Sequence, residues 1–195
     1  MRVIAGTARG RGLKAPRGMG TRPMMDIVKG SLFNMLDALG GIEDLTTLDL
    51  FAGSGSLGIE ALSRGVAHVD FVEQSREACA IIGENLARLG FADKAHVFAR
   101  NVEQYLGATI RSELTRADDN QYGLVFIDAP YRAEVSNEVL KKLAESARLS
   151  HNATICIGHH RHESLPDHIG RFQRVRQRCF GASCIAIYQV EEPEA

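Results

Sequence analysis

The sequence lacks the features that mark membrane, secreted and repeat proteins. No apolar run reaches the length of a membrane span, and the Arg/Gly-rich N-terminus has no apolar segment of the kind a secretory signal needs. No internal repeat or low-complexity tract is present. With 45% apolar and 24% charged residues, a chain of 195 residues can bury one substantial core. We therefore predict a single domain, 1–195, located in the cytoplasm and without a membrane partner.

Few residues suit a disulfide framework or a metal centre. The cysteines lie in apolar surroundings, with no CxxC pair among them: Cys79, Cys156, Cys179 and Cys184. We expect reduced, buried thiols. A second candidate set is a histidine cluster: His159, His160 and His162. No cysteine or carboxylate at the usual spacing completes a tetrahedral set around it, so we expect no metal.

The net charge of −1 conceals an uneven distribution along the chain. Residues 1–30 carry seven Lys and Arg residues and one acid, Asp26, a net of +6, so the remaining 165 residues sum to −7. A basic segment on an acidic body is expected where one segment meets phosphate. We predict an RNA-binding arm over residues 1–23, with a solvated, flexible N-terminus as the alternative. Its cations are Arg9, Arg11, Lys14, Arg17 and Arg22.

Strand-like and helix-like segments alternate through most of the chain. In the arm, residues 2–6 and 12–15 could pair as a short hairpin, and a helix is predicted over 24–39, with this apolar face: Ile27, Val28, Leu32, Phe33, Leu36 and Leu39. Strands are predicted at 48–52, 68–73, 95–99, 123–128 and 153–157, and helices at 56–64, 75–89, 101–114 and 134–148. Two further strands, 172–179 and 183–190, suggest an antiparallel hairpin. The pattern predicts a parallel α/β sheet in a core over 45–190.

The segment 48–58 (LDLFAGSGSLG) combines a strand, a glycine turn and a helix start. Gly53 and Gly55 allow a sharp turn and close approach to a ligand, and Glu73 ends the next strand, where a carboxylate can bind ribose hydroxyls. The G-x-G-x-x-G pattern also fits a nicotinamide dinucleotide fold. Asp49 favours S-adenosylmethionine, because a carboxylate there binds an ammonium and repels a pyrophosphate. The closing hairpin favours it too, since it is not a second nucleotide-binding half. A tight turn without any ligand is the remaining alternative.

The segment 125–131 (VFIDAPY) puts reactive groups at the end of the fourth strand, where open α/β sheets bind ligands. The exocyclic nitrogen of a base attacks poorly because its lone pair is delocalised. We expect the Asp128 carboxylate and the Ala129 carbonyl to accept its two N–H groups and align it with a sulfonium methyl. Pro130 would fix the backbone, and Tyr131 would stack on the base. The alternative is an ordinary strand-ending turn with a core tyrosine.

Nearly the whole chain resembles the RsmD-type 16S ribosomal RNA guanine-N2 methyltransferases. The similar segments are 2–6, 9–14, 21–23, Asp26 with 32–34, 48–58, 60–65, 71–73 and 128–131. The resemblance implies a Rossmann-like class I methyltransferase fold, with a mostly parallel seven-stranded sheet and a C-terminal antiparallel hairpin. It also implies S-adenosylmethionine as methyl donor, a guanine of small-subunit RNA as acceptor, and the segment 128–131 as the catalytic site.

The chain departs from the family pattern at several positions. Ala129 replaces a proline, which keeps the carbonyl but makes the loop less rigid, and Asn101 replaces the aspartate that faces the adenine amine. Met24 and Met25 stand where hydroxylated residues cap the helix, so its start should be weaker by about 1 kcal/mol unless Asp26 caps it. Near the fifth strand, Gly158 stands where the family tends to carry a glutamate.

The resulting hypothesis is a monomeric methyltransferase that acts on ribosomal RNA or on an assembling small ribosomal subunit and releases S-adenosylhomocysteine. The predicted catalytic residues are Asp128, Ala129, Pro130 and Tyr131. The predicted cofactor-binding residues are Asp49, Phe51, Ala52, Gly53, Ser54, Gly55, Glu73, Gln74, Asn101 and Val102. One rival is an adenine-N6 methyltransferase, because the same acceptors suit any exocyclic amine. Another is a non-catalytic RNA-binding protein on a methyltransferase scaffold.

Overall fold

Helices and strands alternate along the computed structural model, which describes residues 1–16, 24–110, 121–129 and 133–190. Over these residues the helices are α1 Asp26–Asp37, α2 Ser56–Ser63, α3 Arg76–Leu89, α4 Val102–Ile110 and α5 Ala133–Ala144. The strands are β1 Thr46–Leu50, β2 His68–Glu73, β3 Ala95–Ala99, β4 Tyr122–Ile127, β5 Leu149–His160, β6 His168–Ile169, β7 Phe172–Phe180 and β8 Ser183–Val190. None of these helices has the length and hydropathy of a membrane span.

The strands form one sheet, in the order β3-β2-β1-β4-β5-β8-β7-β6. Strands β1 to β5 are parallel, and β8 lies antiparallel between β5 and β7. This confirms the predicted α/β architecture with a closing antiparallel hairpin. The predicted seven strands are joined at the sheet edge by an eighth, β6, which has two residues and is too short to give a periodic signal.

Helices cover both faces of the sheet because the strand side chains alternate. Leu124 and Phe126 of β4 pack with α1, α2 and α3 on one face, whereas Val125 and Ile127 pack with α4 and α5 on the other. The central parallel strands β1, β2 and β4 are buried on both faces, as a sheet between two helix layers requires, whereas the edge strand β3 is only partly buried.

The start of α1 differs from the prediction. The helix spans Asp26–Asp37 and not 24–39, and its N-cap, Met25, forms no side-chain capping bond. Asp26 does not cap the helix through its side chain and pairs with Arg2 at 3.1 Å. Ile27 was expected on the apolar face, yet it is 67% exposed, whereas Lys29 is fully buried. Lys29 can be buried because it meets a carboxylate from another helix.

That carboxylate belongs to Glu60 of α2, which anchors the N-terminal arm. Glu60 accepts hydrogen bonds from the backbone N–H groups of Ile4 (2.7 Å) and Ala5 (2.9 Å), and the Lys29 ammonium lies 3.2 Å from it. Burial lowers the pKa of Lys29, while Glu60 opposes that shift. The predicted hairpin is reduced to one antiparallel bridge, Arg2 with Gly12. Residues 1–16 thus pack on the domain, which argues against a flexible segment there.

The prediction of four reduced thiols is wrong for two of them, because Cys179 and Cys184 form a disulfide. These residues pair in register across the turn between β7 and β8, which brings their side chains together. Cys179 is exposed, Cys184 is buried, and Cys79 and Cys156 remain free thiols. The sequence pattern could not reveal the pair, since it required the register of the two strands.

Candidate active site

A tight turn follows β1 and leads into α2. Phe51, Gly53 and Gly55 all have positive φ angles, 59°, 56° and 75°. Phe51 is not a glycine, so its left-handed conformation is strained, as is common at ligand sites. A Cβ at Gly55 would lie 3.2 Å from Ile82 of α3, so this position needs glycine for both its φ angle and the close contact.

Asp49 lies beneath this turn and is 1% exposed. Its Oδ2 accepts a hydrogen bond of 2.9 Å from the Gly58 N–H. The pKa of Asp49 is raised to about 7, chiefly by burial and to a smaller extent by the nearby carboxylates of Asp128 and Glu73, against the Gly58 bond. Within the described residues no cation pairs with this group. The site therefore favours a positively charged ligand.

Glu73 ends β2, and its side chain is held by backbone donors. One oxygen accepts from Gly53 N–H at 3.0 Å, and the other accepts from Ser75 N–H at 2.8 Å. Ser75 in turn caps α3 through the Ala78 N–H. The carboxylate is thus fixed next to the glycine turn, with lone pairs left for further donors.

The other predicted cofactor residues are in mixed surroundings. Asn101 is exposed, and its Oδ1 accepts from the Glu103 N–H at 2.7 Å in the first turn of α4. Ser54 is buried, and its carbonyl accepts from the Asn85 amide at 3.3 Å. The remaining three are Ala52 and Val102, which are buried, and Gln74, which is exposed. Asn101 and Ser54 therefore also have structural contacts that the sequence did not suggest.

Asp128 follows β4 and lines a pocket of about 210 Å³. The side chain is partly buried, and this desolvation raises its pKa to about 6. Ala129 is buried, whereas Pro130 and Tyr131 lie outside the described residues. The pocket is formed by the start of α1, the end of β4, β5 and the β7–β8 turn: Met24, Met25, Val28, Asp128, Gly158, His159 and residues 180–184.

Gly158 gives Asp128 its space. A Cβ at this position would lie 2.5 Å from Asp128 Oδ1 and 3.4 Å from the terminal methyl of Met24. A glutamate, the residue that the family tends to carry near this strand, would therefore displace the carboxylate in this chain. The resemblance to the family identifies Gly158 as a departure from the family pattern, but only the register of β4 and β5 reveals its contact with Asp128.

Two apolar side chains are exposed at the start of α1, and one of them belongs to the lining of this pocket. Met25 is 39% exposed and lines the pocket, and Ile27 is 67% exposed. The helical pattern predicts Ile27 on the buried face of α1, but Lys29 occupies that face and Ile27 does not. An exposed apolar group such as Met25 in a pocket with a partly buried carboxylate suits a ligand with a flat apolar surface and polar edges, such as a nucleobase.

The described cations of the predicted RNA-binding arm are exposed, and two of them contact α3. Lys14 pairs with Glu84 at 2.6 Å, and Arg11 donates to the Arg88 carbonyl at 3.1 Å. Arg9 is exposed. Arg17 and Arg22 lie outside the described residues. The charge of the arm is thus partly offset by the helix on which it packs.

The comparisons with known proteins cover the whole domain. The family model described as conserved hypothetical protein 95 matches residues 1–189. The chain belongs to this family, the RsmD family. YlbH of Bacillus subtilis (strain 168), a candidate rRNA methyltransferase by name, is 37% identical over 191 residues, 97% of this chain and 98% of YlbH. The ribosomal RNA small subunit methyltransferase D of Escherichia coli (strain K12) is 32% identical over 98% of this chain and 90% of its own.

Solved structures of methyltransferases have the same fold. The yhhF protein of Escherichia coli, a candidate methyltransferase by title, superposes with a TM-score of 0.81 at 33% identity and covers 98% of both chains. An RNA methyltransferase from Salinibacter ruber, solved in complex with S-adenosyl-L-homocysteine, gives a TM-score of 0.64 at 16% identity, over 89% of this chain and 98% of that one. The fold is the Rossmann-like class I methyltransferase fold, as the resemblance implied.

Proposed function

We propose that this protein transfers a methyl group from S-adenosylmethionine to the exocyclic N2 amine of a guanine in small-subunit ribosomal RNA. The observation that carries the proposal is that two carboxylates, Asp49 and Asp128, lie near each other at the ends of neighbouring strands. Asp49 lies under the glycine turn, and Asp128 lies in the adjoining pocket, close enough to raise the pKa of Asp49. The names of two relatives, which describe rRNA methyltransferases, support methylation of ribosomal RNA.

The residues around the glycine turn fit this cofactor. The buried Asp49 carboxylate, with its raised pKa, offers a counter-charge for the methionine ammonium. Glu73 is oriented by two backbone donors and has lone pairs left for ribose hydroxyls. Phe51, Ala52, Gly53, Ser54 and Gly55 form the turn, and Gln74, Asn101 and Val102 follow the neighbouring strands. The bound cofactor supplies an electrophilic methyl group on a sulfonium.

The residues at the end of β4 position the acceptor. With a pKa of about 6, Asp128 is mostly ionised at neutral pH and accepts one N–H of the guanine amine. The Ala129 carbonyl accepts the other, which favours a pyramidal nitrogen whose lone pair is no longer delocalised into the ring. Asp128, directly or through water, would take the proton that the amine loses when it is methylated. Pro130 and Tyr131, which lie outside the described residues, keep the roles expected from the sequence: Pro130 would fix the backbone and Tyr131 would stack on the base.

The pocket beside Asp128 is the proposed place for the guanine. Its apolar lining at Met24, Met25 and Val28 suits the face of a base that has left its helix. The exposed arm cations Arg9, Arg11 and Lys14, with Arg17 and Arg22, provide phosphate contacts. The partner is then ribosomal RNA or an assembling small subunit, met in the cytoplasm by a monomer.

The test is methylation of small-subunit RNA and of assembling subunits with isotopically labelled S-adenosylmethionine, followed by digestion to nucleosides. We expect labelled N2-methylguanosine from the natural protein. Asp128→Ala should reduce the rate at least about 1000-fold and leave cofactor affinity within a few-fold. The control, Asp93→Ala, removes an exposed acid and should change neither quantity.

Other products would decide against the proposal. Labelled N6-methyladenosine would support the rival adenine methyltransferase. Absence of cofactor binding by calorimetry would support a non-catalytic RNA-binding protein. Normal methylation by Asp128→Ala would contradict the assignment of the catalytic carboxylate.

A further inference from the structure

A second cluster of reactive side chains lies toward the amino ends of β2 and β3, on the face of the sheet opposite to Asp49. His68 and Asp70 are two residues apart in β2, so they share one face of the strand. Asp70 is in register with His96 of β3. The three side chains therefore meet on one face, at the amino edge of the two strands and away from the glycine turn.

The ligand atoms of these residues converge. His68 Nε2 lies 3.1 Å from Asp70 Oδ1, His96 Nδ1 lies 3.4 Å from the same oxygen, and the two nitrogens are 2.7 Å apart. In a tetrahedral zinc site with bonds of about 2.0–2.1 Å, ligand atoms are about 3.3 Å apart. The two nitrogen–oxygen separations are already close to this value, whereas the two nitrogens would have to move apart by about 0.6 Å to reach it.

A second layer of hydrogen bonds fixes the carboxylate. Asp70 is 7% exposed, and its other oxygen, Oδ2, accepts from the Tyr122 hydroxyl at 2.6 Å. Tyr122 also shares a hydrogen bond of 2.8 Å with the Tyr105 hydroxyl. Metal-binding carboxylates and histidines have such outer partners, which orient the ligand atom toward the ion. Oδ1 of Asp70 is thus held toward the two histidines.

The cluster is open to solvent on the histidine side. The side chains of His68 and His96 are 24% and 40% exposed. An ion can therefore enter from the surface, and a water molecule can take the fourth position. Two imidazole nitrogens and one carboxylate oxygen form a donor set that suits zinc among the divalent ions.

We propose that His68, Asp70 and His96 form a site for a divalent zinc-class ion, completed by water. The ion would join β2 to β3 at the amino edge of the sheet. Asp70 is level with Leu48 and shares its face of the sheet, whereas Asp49 is on the opposite face, so the role of the ion would be to stabilise these strands. The inference is independent of the proposed methyl transfer.

The test uses the full chain without an affinity tag, treated with a chelator and then dialysed. Calorimetry with Zn²⁺ should give one ion per chain, and Zn²⁺ should raise the melting temperature. Co²⁺, as a spectroscopic probe, should give the strong visible absorption of a four-coordinate site. His96→Gln and His68→Gln should each weaken Zn²⁺ binding by about 10–100-fold or more.

The matched control is His162→Gln, which removes an exposed histidine from the other histidine cluster. It should bind Zn²⁺ as the natural protein does. Unchanged binding by His96→Gln, loss of binding in His162→Gln, or no binding by the natural protein would each overturn the proposal. Because metal binding is measured without cofactor or RNA, none of these results bears on methyl transfer.

Discussion

Asp49 and Asp70 lie in neighbouring strands, and both are almost completely buried, at 1% and 7% exposure. Their pKa values nevertheless shift in opposite directions. That of Asp49 is raised to about 7, and that of Asp70 is lowered below its ordinary value of 3.8. Burial raises the pKa of both groups, so the difference comes from their partners.

The partners differ in number and in charge. Asp70 accepts hydrogen bonds from His68 and Tyr122, which outweigh its desolvation. Asp49 accepts one bond from Gly58 and is further destabilised in its charged form by two nearby carboxylates, Glu73 and Asp128. The face of the sheet that carries Asp70 therefore supplies its own donors, whereas on the opposite face no cation among the described residues offsets the charge of Asp49.

The largest expected effect is that of Asp49→Asn on cofactor affinity. Loss of the buried counter-charge should weaken binding of S-adenosylmethionine about 100-fold or more, as measured by calorimetry at pH 8. The same change should stabilise the free protein at pH 8. Because the folded-state pKa of Asp49 is raised, the cost of this group to stability grows as the pH rises from 3.8 to about 7 and stays at its full value above that pH.

Asp93→Asn is the control and should alter neither quantity. If Asp49→Asn keeps its affinity for the cofactor, then Asp49 does not need a positively charged ligand and does not differ from Asp70 in this respect.

Gly158→Ala should have the next largest effect. The new methyl group would lie 2.5 Å from Asp128 Oδ1 and would displace the carboxylate, which should lower the methylation rate about 10–100-fold. Cofactor affinity should stay unchanged, since Asp49 is untouched. Gly83→Ala, where a Cβ meets nothing within 4 Å, is the matched control. An unchanged rate would show that Asp128 does not need this space.

The pH dependence of cofactor binding should be smaller. Because the ammonium favours ionised Asp49, affinity should fall about tenfold per pH unit below pH 7 and level off above it. Calorimetry between pH 5.5 and 8.5, values that bracket the pKa of about 7, measures this slope. Asp49→Asn should remove it. A slope that persists in the variant would assign the titration to another group.

Asp70→Asn should have the smallest effect on the proposed reaction. It should leave cofactor affinity unchanged but lower the free energy of unfolding at pH 7 by about 1–3 kcal/mol, since the charge-assisted bonds from Tyr122 and His68 are weakened. With a lowered pKa, this stabilisation is present above pH 3.8 and is lost as the pH falls further. Urea unfolding at pH 7 and pH 3 measures the difference. If Asp70→Asn and the natural protein have the same free energy of unfolding at pH 7, the bonds from Tyr122 and His68 do not stabilise the fold.

The sequence predicts best what depends on local pattern. The bounds of β2, β3 and β8 agree with the prediction, because their apolar runs have turns on both sides. It fails where the outcome depends on contacts between distant segments. Lys29 is buried because its ammonium pairs with Glu60, 31 residues further along the chain. Lys29 therefore lies on the buried face of α1, and Ile27 is exposed.

The candidate site shows the same limit. The glycine turn, Asp49, Glu73 and Asp128 are found from motifs alone, because their spacing follows the strand–turn–helix units. The contact of Gly158 with Asp128 depends on the register of β4 and β5. The cluster of His68, Asp70 and His96 depends on the register of β2 and β3. The second contacts of Asn101 and Ser54 likewise appear only in three dimensions.

The anchoring of residues 4 and 5 on Glu60 has a consequence for deletion experiments. The helix that carries Glu60 begins directly after the glycine turn, so the N-terminus and the cofactor loop share one support. Removing residues 1–16 would strip two donors from a buried carboxylate and leave Lys29 without the Arg2 carbonyl. We expect such a truncated chain to be less stable and, at the same time, to have a disturbed glycine turn. RNA contacts are therefore better studied by replacing single arm cations than by shortening the chain.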